Sequence, residues 1–327
     1  MRVFTRICRL RGALCESGSI DRRVGPGYIG VYAKRWFEFP IPLFPKRHSS
    51  EHPLTFYRGM DRAALDAAYD NTAAVANSAA LLADFDARSV QLRAAKPQHL
   101  DLRYGPAERN RIDYFAAGEP GPILVFIHGG YWQMRAKETF SFLAAGPLAH
   151  GIHVALPGYT LAPEITLDGI VAEVRAAIHW IAQHAADSGG DPARIIVCGW
   201  SAGGHLTAMM MDEPTVKGGL AISGIFDLQP IRLNYLNTQL GLDADAVQRL
   251  SPLLNLPARS APLILACGEG ELPELQRQSQ TFAQARTRAG LPGRLIRLAH
   301  HNHFTILEEL AQADGALTAL VRKLAAA

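Results

Sequence analysis

The chain has 327 residues, 48% of them hydrophobic and 19% charged, with a net charge of +3 and four cysteines. This is the balance of an ordinary globular protein. No apolar run reaches the ~18 residues of a membrane span, and nothing suggests a disulfide framework. The charge is uneven: residues 1–59 carry 11 Lys/Arg against 4 Asp/Glu, and the remainder 22 against 26. The body is therefore mildly acidic, which speaks against a nucleic-acid binder.

Residues 1–59 have many Arg, Gly and Pro, little periodicity, and no apolar core of a secretory signal. An Arg-rich, acid-poor start is compatible with an organelle transit peptide or a nucleic-acid arm. The preferred reading is a basic extension, disordered or untranslated, with Met60 as an alternative start and residues 60–327 as one α/β catalytic domain. Asp61 is the expected N-cap of a helix over 61–83. A polar strand pair follows around 98–116, turning at Tyr104-Gly105-Pro106. The run Ile123–Ile127 reads as a central parallel strand. It ends in His128-Gly129-Gly130-Tyr131-Trp132, where glycines let backbone N–H groups approach a substrate oxygen. His128 is expected to brace this loop. Next come a helix over 137–149, a short strand over 154–157, and a helix over 167–186 with an apolar stripe at Ile170, Val174, Ala177, Ile178 and Ile181.

The strand Arg194–Cys198 runs into Gly199-Trp200-Ser201-Ala202-Gly203 and an apolar helix pattern, the context of a nucleophile elbow. Ser201 is the expected nucleophile, and the amide of Ala202 an oxyanion donor beside Gly129, Gly130 or Tyr131. A strand at Gly219–Ser223 precedes a cap-like insertion over 230–256. The strand 262–267 ends in Gly268-Glu269-Gly270-Glu271. Glu271 is the preferred partner for the base, with Glu269 as its rival, whereas Asp227 comes too early and is read as a loop brace. Helix 274–289, strand 294–298 and helix 305–325 close the chain. Of His300, His301 and His303, the last lies next to the final helix and is the preferred base. No Cys or carboxylate lies at ligand spacing beside these histidines, so no metal is expected. Tyr131, Trp132 and Phe304 adjoin these loops as candidate pocket walls. The region of Tyr235 and Leu240, and the helix after Met60, are candidate lids.

Together HGGYW, GWSAGG, Ser223-Gly224-Ile225-Phe226-Asp227-Leu228 and the stretch Glu271–Ser279 resemble the α/β-hydrolase arylformamidases, the serine-hydrolase kynurenine formamidases. Gly158-Tyr159-Thr160-Leu161-Ala162-Pro163-Glu164 is similar to a Y-R-L-A-P-E stretch of hormone-sensitive-lipase-like esterases, with Thr160 in place of arginine. The resemblance spans roughly Met60 to the C-terminus. It implies an α/β-hydrolase fold, a mostly parallel sheet with helices on both faces and a small cap. It also implies Ser201 as nucleophile, His303 as base, Glu271 as acid, and oxyanion donors at Gly129, Gly130 and Ala202. Glutamate stands at 271 where this family usually has aspartate.

The expected activity is cleavage of an aryl formamide through an acyl-enzyme. A short-chain carboxylesterase is the alternative, and a non-catalytic hydrolase scaffold a third reading. A small-molecule substrate is expected, with no cofactor, nucleic acid or membrane partner. A homo-oligomer is compatible with the sequence. Cys198 and Cys267 fall in expected buried strands and read as small core residues. With Cys8 and Cys15 they leave a reducing, cytoplasmic location as the simpler expectation.

Overall fold

The computed structural model describes residues 56–327. Of the extension expected over residues 1–59, residues 1–55, with Cys8 and Cys15, lie outside the described residues. Residues 56–59 lie within them. Tyr57 and Met60 form an antiparallel bridge, and the Tyr57 hydroxyl donates to Asp227 Oδ2 at 2.9 Å. The body of the protein therefore includes residues just upstream of Met60.

Among the described residues, eight strands build one sheet: β1 (Leu102–Arg103), β2 (Arg111–Phe115), β3 (Gly121–Ile127), β4 (His153–Pro157), β5 (Gly190–Trp200), β6 (Val216–Ile222), β7 (Leu263–Gly268) and β8 (Gly293–Leu298). Their order is β1-β2-β4-β3-β5-β6-β7-β8. The pairings β1–β2 and β2–β4 are antiparallel, and all others are parallel. Parallel strands are covered on both faces, which accounts for the continuous apolar runs. Ile123, Val125 and Ile127 of β3, with Ile195 and Val197 of β5, enter one core. Leu124, Phe126, Ile196 and Cys198 enter the other. Each fully buried Ile or Leu stabilises the fold by about 1.5–3 kcal/mol. Helices Leu167–His184, Ala202–Met209 and Pro273–Arg288 cover the first face, and Ser78–Ala95 and Ala316–Ala325 the second. Cys198 and Cys267 are buried free thiols, as expected.

Three helices depart from the sequence pattern. The one expected over 61–83 starts as foreseen, with Asp61 Oδ1 accepting from the Ala64 amide at 2.8 Å, but stops at Ala67 and resumes over Ser78–Ala95. In the gap Asp70 Oδ1 accepts from the Ala73 amide and Asn71 Nδ2 donates to the Tyr131 hydroxyl. Short polar side chains compete here with the helical ladder. The expected helix over 137–149 is a 3₁₀ stretch, Lys137–Ala144, followed by one α-turn, Ala145–Leu148. The last helix breaks before Ala316, whose amide is taken by Glu309 Oε2 at 2.6 Å. The segment 230–256 holds three short helices, Gln229–Arg232, Asn237–Leu240 and Ala244–Leu250.

Register places the functional loops along one edge. Ile127 lies opposite Gly199, Trp200 opposite Ile222, and Gly268 opposite Leu298. The segments following β3, β5, β6, β7 and β8 thus leave the sheet side by side at its carboxyl end, where open α/β sheets bind ligands.

Candidate active site

Ser201 joins β5 to the helix Ala202–Met209 with φ +58° and ψ −118°. A non-glycine residue in such a region costs about 1–3 kcal/mol, and the surroundings hold it there. The Ser201 amide donates to the Ile222 carbonyl at 2.8 Å. A Cβ on Gly203 would lie 2.0 Å from the Ile127 carbonyl oxygen. Only glycine lets the helix start so near β3, and that approach turns the elbow sharply enough to raise the serine over the strand ends. Ser201 is nonetheless only 2% exposed.

His303 follows β8 and lies next to the elbow. The Trp200 indole Nε1 donates to the His303 carbonyl at 2.8 Å, and the two rings are 4.8 Å apart. His303 Nδ1 faces Glu271 Oε2 at 3.2 Å. With its Nδ1–H donated to the carboxylate, the neutral ring presents Nε2 as its basic nitrogen. The other oxygen, Glu271 Oε1, accepts from Ser223 Oγ and from the Gly268 amide, both at 2.6 Å. Two donors on one oxygen orient the carboxylate so that the second is left for the imidazole.

The rivals lie elsewhere. Glu269 is exposed, with its amide on the Leu298 carbonyl. His300 is exposed. His301 is tied to the Thr305 carbonyl and to Glu309. Asp227 acts as a brace, taking the Tyr57 hydroxyl on Oδ2 and the Gln229 amide on Oδ1. Among the described residues, no three His, Cys, Asp or Glu side chains are grouped as metal ligands.

The loop after β3 is unusual. Gly130, Tyr131 and Trp132 have φ of +114°, +50° and +61° in succession. A Cβ on Gly130 would meet the Met134 carbonyl oxygen at 2.1 Å. Among the described residues, the amides of Gly130, Tyr131 and Ala202 have no backbone acceptor. His128 at the loop base is buried, its Nδ1–H donating to the Gly129 carbonyl at 2.8 Å. Its ring stacks on Tyr159 at 4.2 Å. Burial pushes its pKa down to about 4, so the ring is neutral. This is the expected bracing role.

Tyr131, Trp132 and Phe304 are all buried. Tyr131 spends its hydroxyl on the Tyr69 carbonyl. Trp132 meets the His205 ring edge-on at 5.0 Å. Phe304 packs on Trp200 at 5.7 Å. The candidate lid segments touch each other and this loop. The Tyr235 amide donates to Asp66 Oδ1 at 2.8 Å, and Gln133 Nε2 to the Leu236 carbonyl at 3.2 Å.

A description of the alpha/beta hydrolase fold matches residues 124–260. The kynurenine formamidase of Danio rerio is 31% identical over 241 residues, which cover 69% of this chain and 81% of that protein. The chain belongs to the kynurenine formamidase family of α/β hydrolases. The Salmo salar kynurenine formamidase is 32% identical, over 69% of this chain and 81% of its own length. A crystal structure of a Silicibacter sp. TM1040 protein, described as a thioesterase, superposes with a TM-score of 0.72 at 30% identity. The match covers 79% of this chain and 98% of that one. This member of the family is accordingly a hydrolase.

Two site residues escape a reading by motif. Ser223, at φ +53°, ends a strand in register with the elbow strand and supplies a donor to Glu271. A strand-end serine beside the elbow was the available signal. His205, one turn past Ser201, is buried with Nε2 on the Leu250 carbonyl at 2.7 Å. Burial lowers its pKa to about 4. It fastens the elbow helix to the short helix Ala244–Leu250. At the family departure, Thr160 gives its amide and hydroxyl to Glu173.

Proposed function

We propose that this hydrolase cleaves an aryl formamide, N-formyl-kynurenine, to kynurenine and formate through a formyl-enzyme on Ser201. The observation carrying this reading is Glu271–His303–Trp200–Ser201 assembled at one edge of the sheet, in a chain whose relatives at 31–32% identity are kynurenine formamidases.

His303 Nε2 takes the Ser201 proton as Oγ attacks the formyl carbon. The carbonyl oxygen gains the negative charge, which the amides of Gly129, Gly130 and Ala202 stabilise. On collapse the C–N bond breaks, and His303 returns its proton to the departing aryl amine. Water then attacks the formyl ester with His303 again as base, releasing formate and restoring Ser201. Glu271 holds the Nδ1–H tautomer and stabilises the imidazolium. The chemistry is complete with side chains, amides and water, without a cofactor.

Cleavage of short acyl esters or thioesters is the second reading, favoured by the 30% identity to the Silicibacter protein. The same steps apply, with an alcohol or thiol leaving. The test is hydrolysis of N-formyl-L-kynurenine against p-nitrophenyl acetate, with Ser201→Ala as blank. A kcat/KM for the formamide of about 10⁴ M⁻¹s⁻¹ or more supports the formamidase reading and a place in tryptophan breakdown. Ester cleavage alone selects the second reading.

A further inference from the structure

The oxyanion loop is held largely from outside. Tyr131, midway in its run of positive φ, donates its hydroxyl to the Tyr69 carbonyl at 2.5 Å and accepts from Asn71 Nδ2 at 2.8 Å. Burial raises the Tyr131 pKa well above its ordinary value, so the phenol remains a donor throughout the working pH range. Asn71 is buried, and among the described residues its Oδ1 has no partner. A buried amide with an idle oxygen is costly, and its placement here has one evident use, gripping Tyr131. Tyr69 extends the connection. Its own hydroxyl lies 3.2 Å from Glu274 Oε2 and accepts from Gln278 Nε2 at 3.0 Å. Glu274 lies three residues beyond Glu271, and Gln278 Oε1 in turn receives the amides of Phe226 and Asp227. One fully buried tyrosine thus touches the oxyanion loop through its carbonyl and the acid-bearing segment through its phenol.

We infer that Tyr69 and Asn71 are positioning residues for catalysis, a clamp from the segment between the helices Arg62–Ala67 and Ser78–Ala95 that sets the oxyanion amides through Tyr131 and couples them to the turn carrying Glu271. The inference rests on the acyl-enzyme reading above. It makes the chain between the two N-terminal helices part of the working enzyme, although it supplies no reacting group. An oxyanion contact is worth most when its donors are placed to within a fraction of an ångström. Releasing Tyr131 lets the strained run relax and moves those donors.

The experiment compares Tyr131→Phe, Asn71→Ala and the double variant on N-formyl-L-kynurenine and p-nitrophenyl acetate, with binding of a trifluoromethyl ketone as a tetrahedral mimic. The expected result is a fall in kcat of about 10²-fold, the scale of an ångström-sized misplacement, with KM within threefold. Ketone affinity should fall in parallel, and the double variant should be no worse than Tyr131→Phe alone. Phe85→Leu, in the opposite core, serves as a control that lowers Tm without touching kcat. If Tyr131→Phe does not fold, Asn71→Ser carries the same test. Unchanged kcat and ketone affinity in a folded variant, or a loss confined to KM, overturns the clamp. Activity surviving in Ser201→Ala overturns instead the acyl-enzyme reading, so the two failures are distinguishable.

Discussion

The turn carrying Glu271 and the loop carrying Gly129 and Gly130 border one candidate site, yet they are anchored differently. The acid turn is held by itself and by the adjoining strand ends: the Gly268 amide on Oε1, the Glu271 amide on the Gly268 carbonyl and Gln276 on the Glu271 carbonyl, with the Glu269 amide on the Leu298 carbonyl and the Gly270 amide on the His301 carbonyl beyond β8. Ser223 adds one bond from the adjacent strand end. The proposed oxyanion loop is fastened by Tyr69, Asn71, Arg109 and Leu236, each 26 to 103 positions away in the chain. A turn tied to itself and to neighbouring strand ends of the sheet keeps its shape when the periphery changes. A loop tied to segments outside the sheet makes its geometry depend on the whole fold, and this one also holds three non-glycine residues, Tyr131, Trp132 and Arg135, at positive φ.

Ser201, the proposed nucleophile between these regions, sets the scale of every perturbation. Ser201→Ala should lower kcat by about 10⁶-fold, as in other serine triads; near-wild-type turnover in a clean preparation would remove the serine from the mechanism. Glu271→Gln should cost about 10⁴-fold by disturbing the His303 tautomer, while Glu269→Gln stays within about twofold. Equal losses at the two positions would contradict the geometry of the acid turn.

Stability against pH probes the side of the proposed oxyanion loop. His128, at the base of its loop, and His205, on the elbow helix, have folded pKa values lowered to about 4, against about 6.5 when unfolded. The unfolded chain binds more protons between these values. The stabilisation is therefore fully present above pH 6.5 and lost as pH falls towards 4, by about 1.4 kcal/mol per pH unit for each histidine. Urea unfolding across that range checks this, and His128→Gln should remove about half of the slope. A flat profile would show that neither ring is held neutral.

Smallest is Ser223→Ala, which deletes one of two donors on Glu271 Oε1. It should cost about 2 kcal/mol of stability, the worth of a hydrogen bond to a charged group, measured by the same unfolding. If Ser223→Ala instead matched the loss of kcat expected for Tyr131→Phe, the contrast between the two loops would fall.

The same contrast explains what could be read from the residues in order. The elbow, the strand ending in His128-Gly129-Gly130, the carboxylate turn and the late histidine are local patterns, and the sheet brings them together as the motifs imply. The choice of Glu271 over Glu269 needed burial, because both lie within three residues of the strand end. The break after Ala67, the Tyr131 hydroxyl turned towards Tyr69, and the Ser223 donor were not legible. Each depends on a partner 48 to 62 residues away, and no periodicity reports such a meeting. The boundary at Met60 missed Tyr57 for the same reason, since its partner Asp227 is 170 positions distant.

The close passage of Gly203 beneath the Ile127 carbonyl separates two kinds of information written in one short motif. The glycines specify a distance between backbones, and the serine, as the proposed nucleophile, specifies a reaction. Exchanging the serine hydroxyl for hydrogen leaves the distance untouched, so an inert Ser201→Ala protein would keep the shape of the active enzyme. That makes it a natural trap in which to capture an uncleaved substrate and read its identity directly.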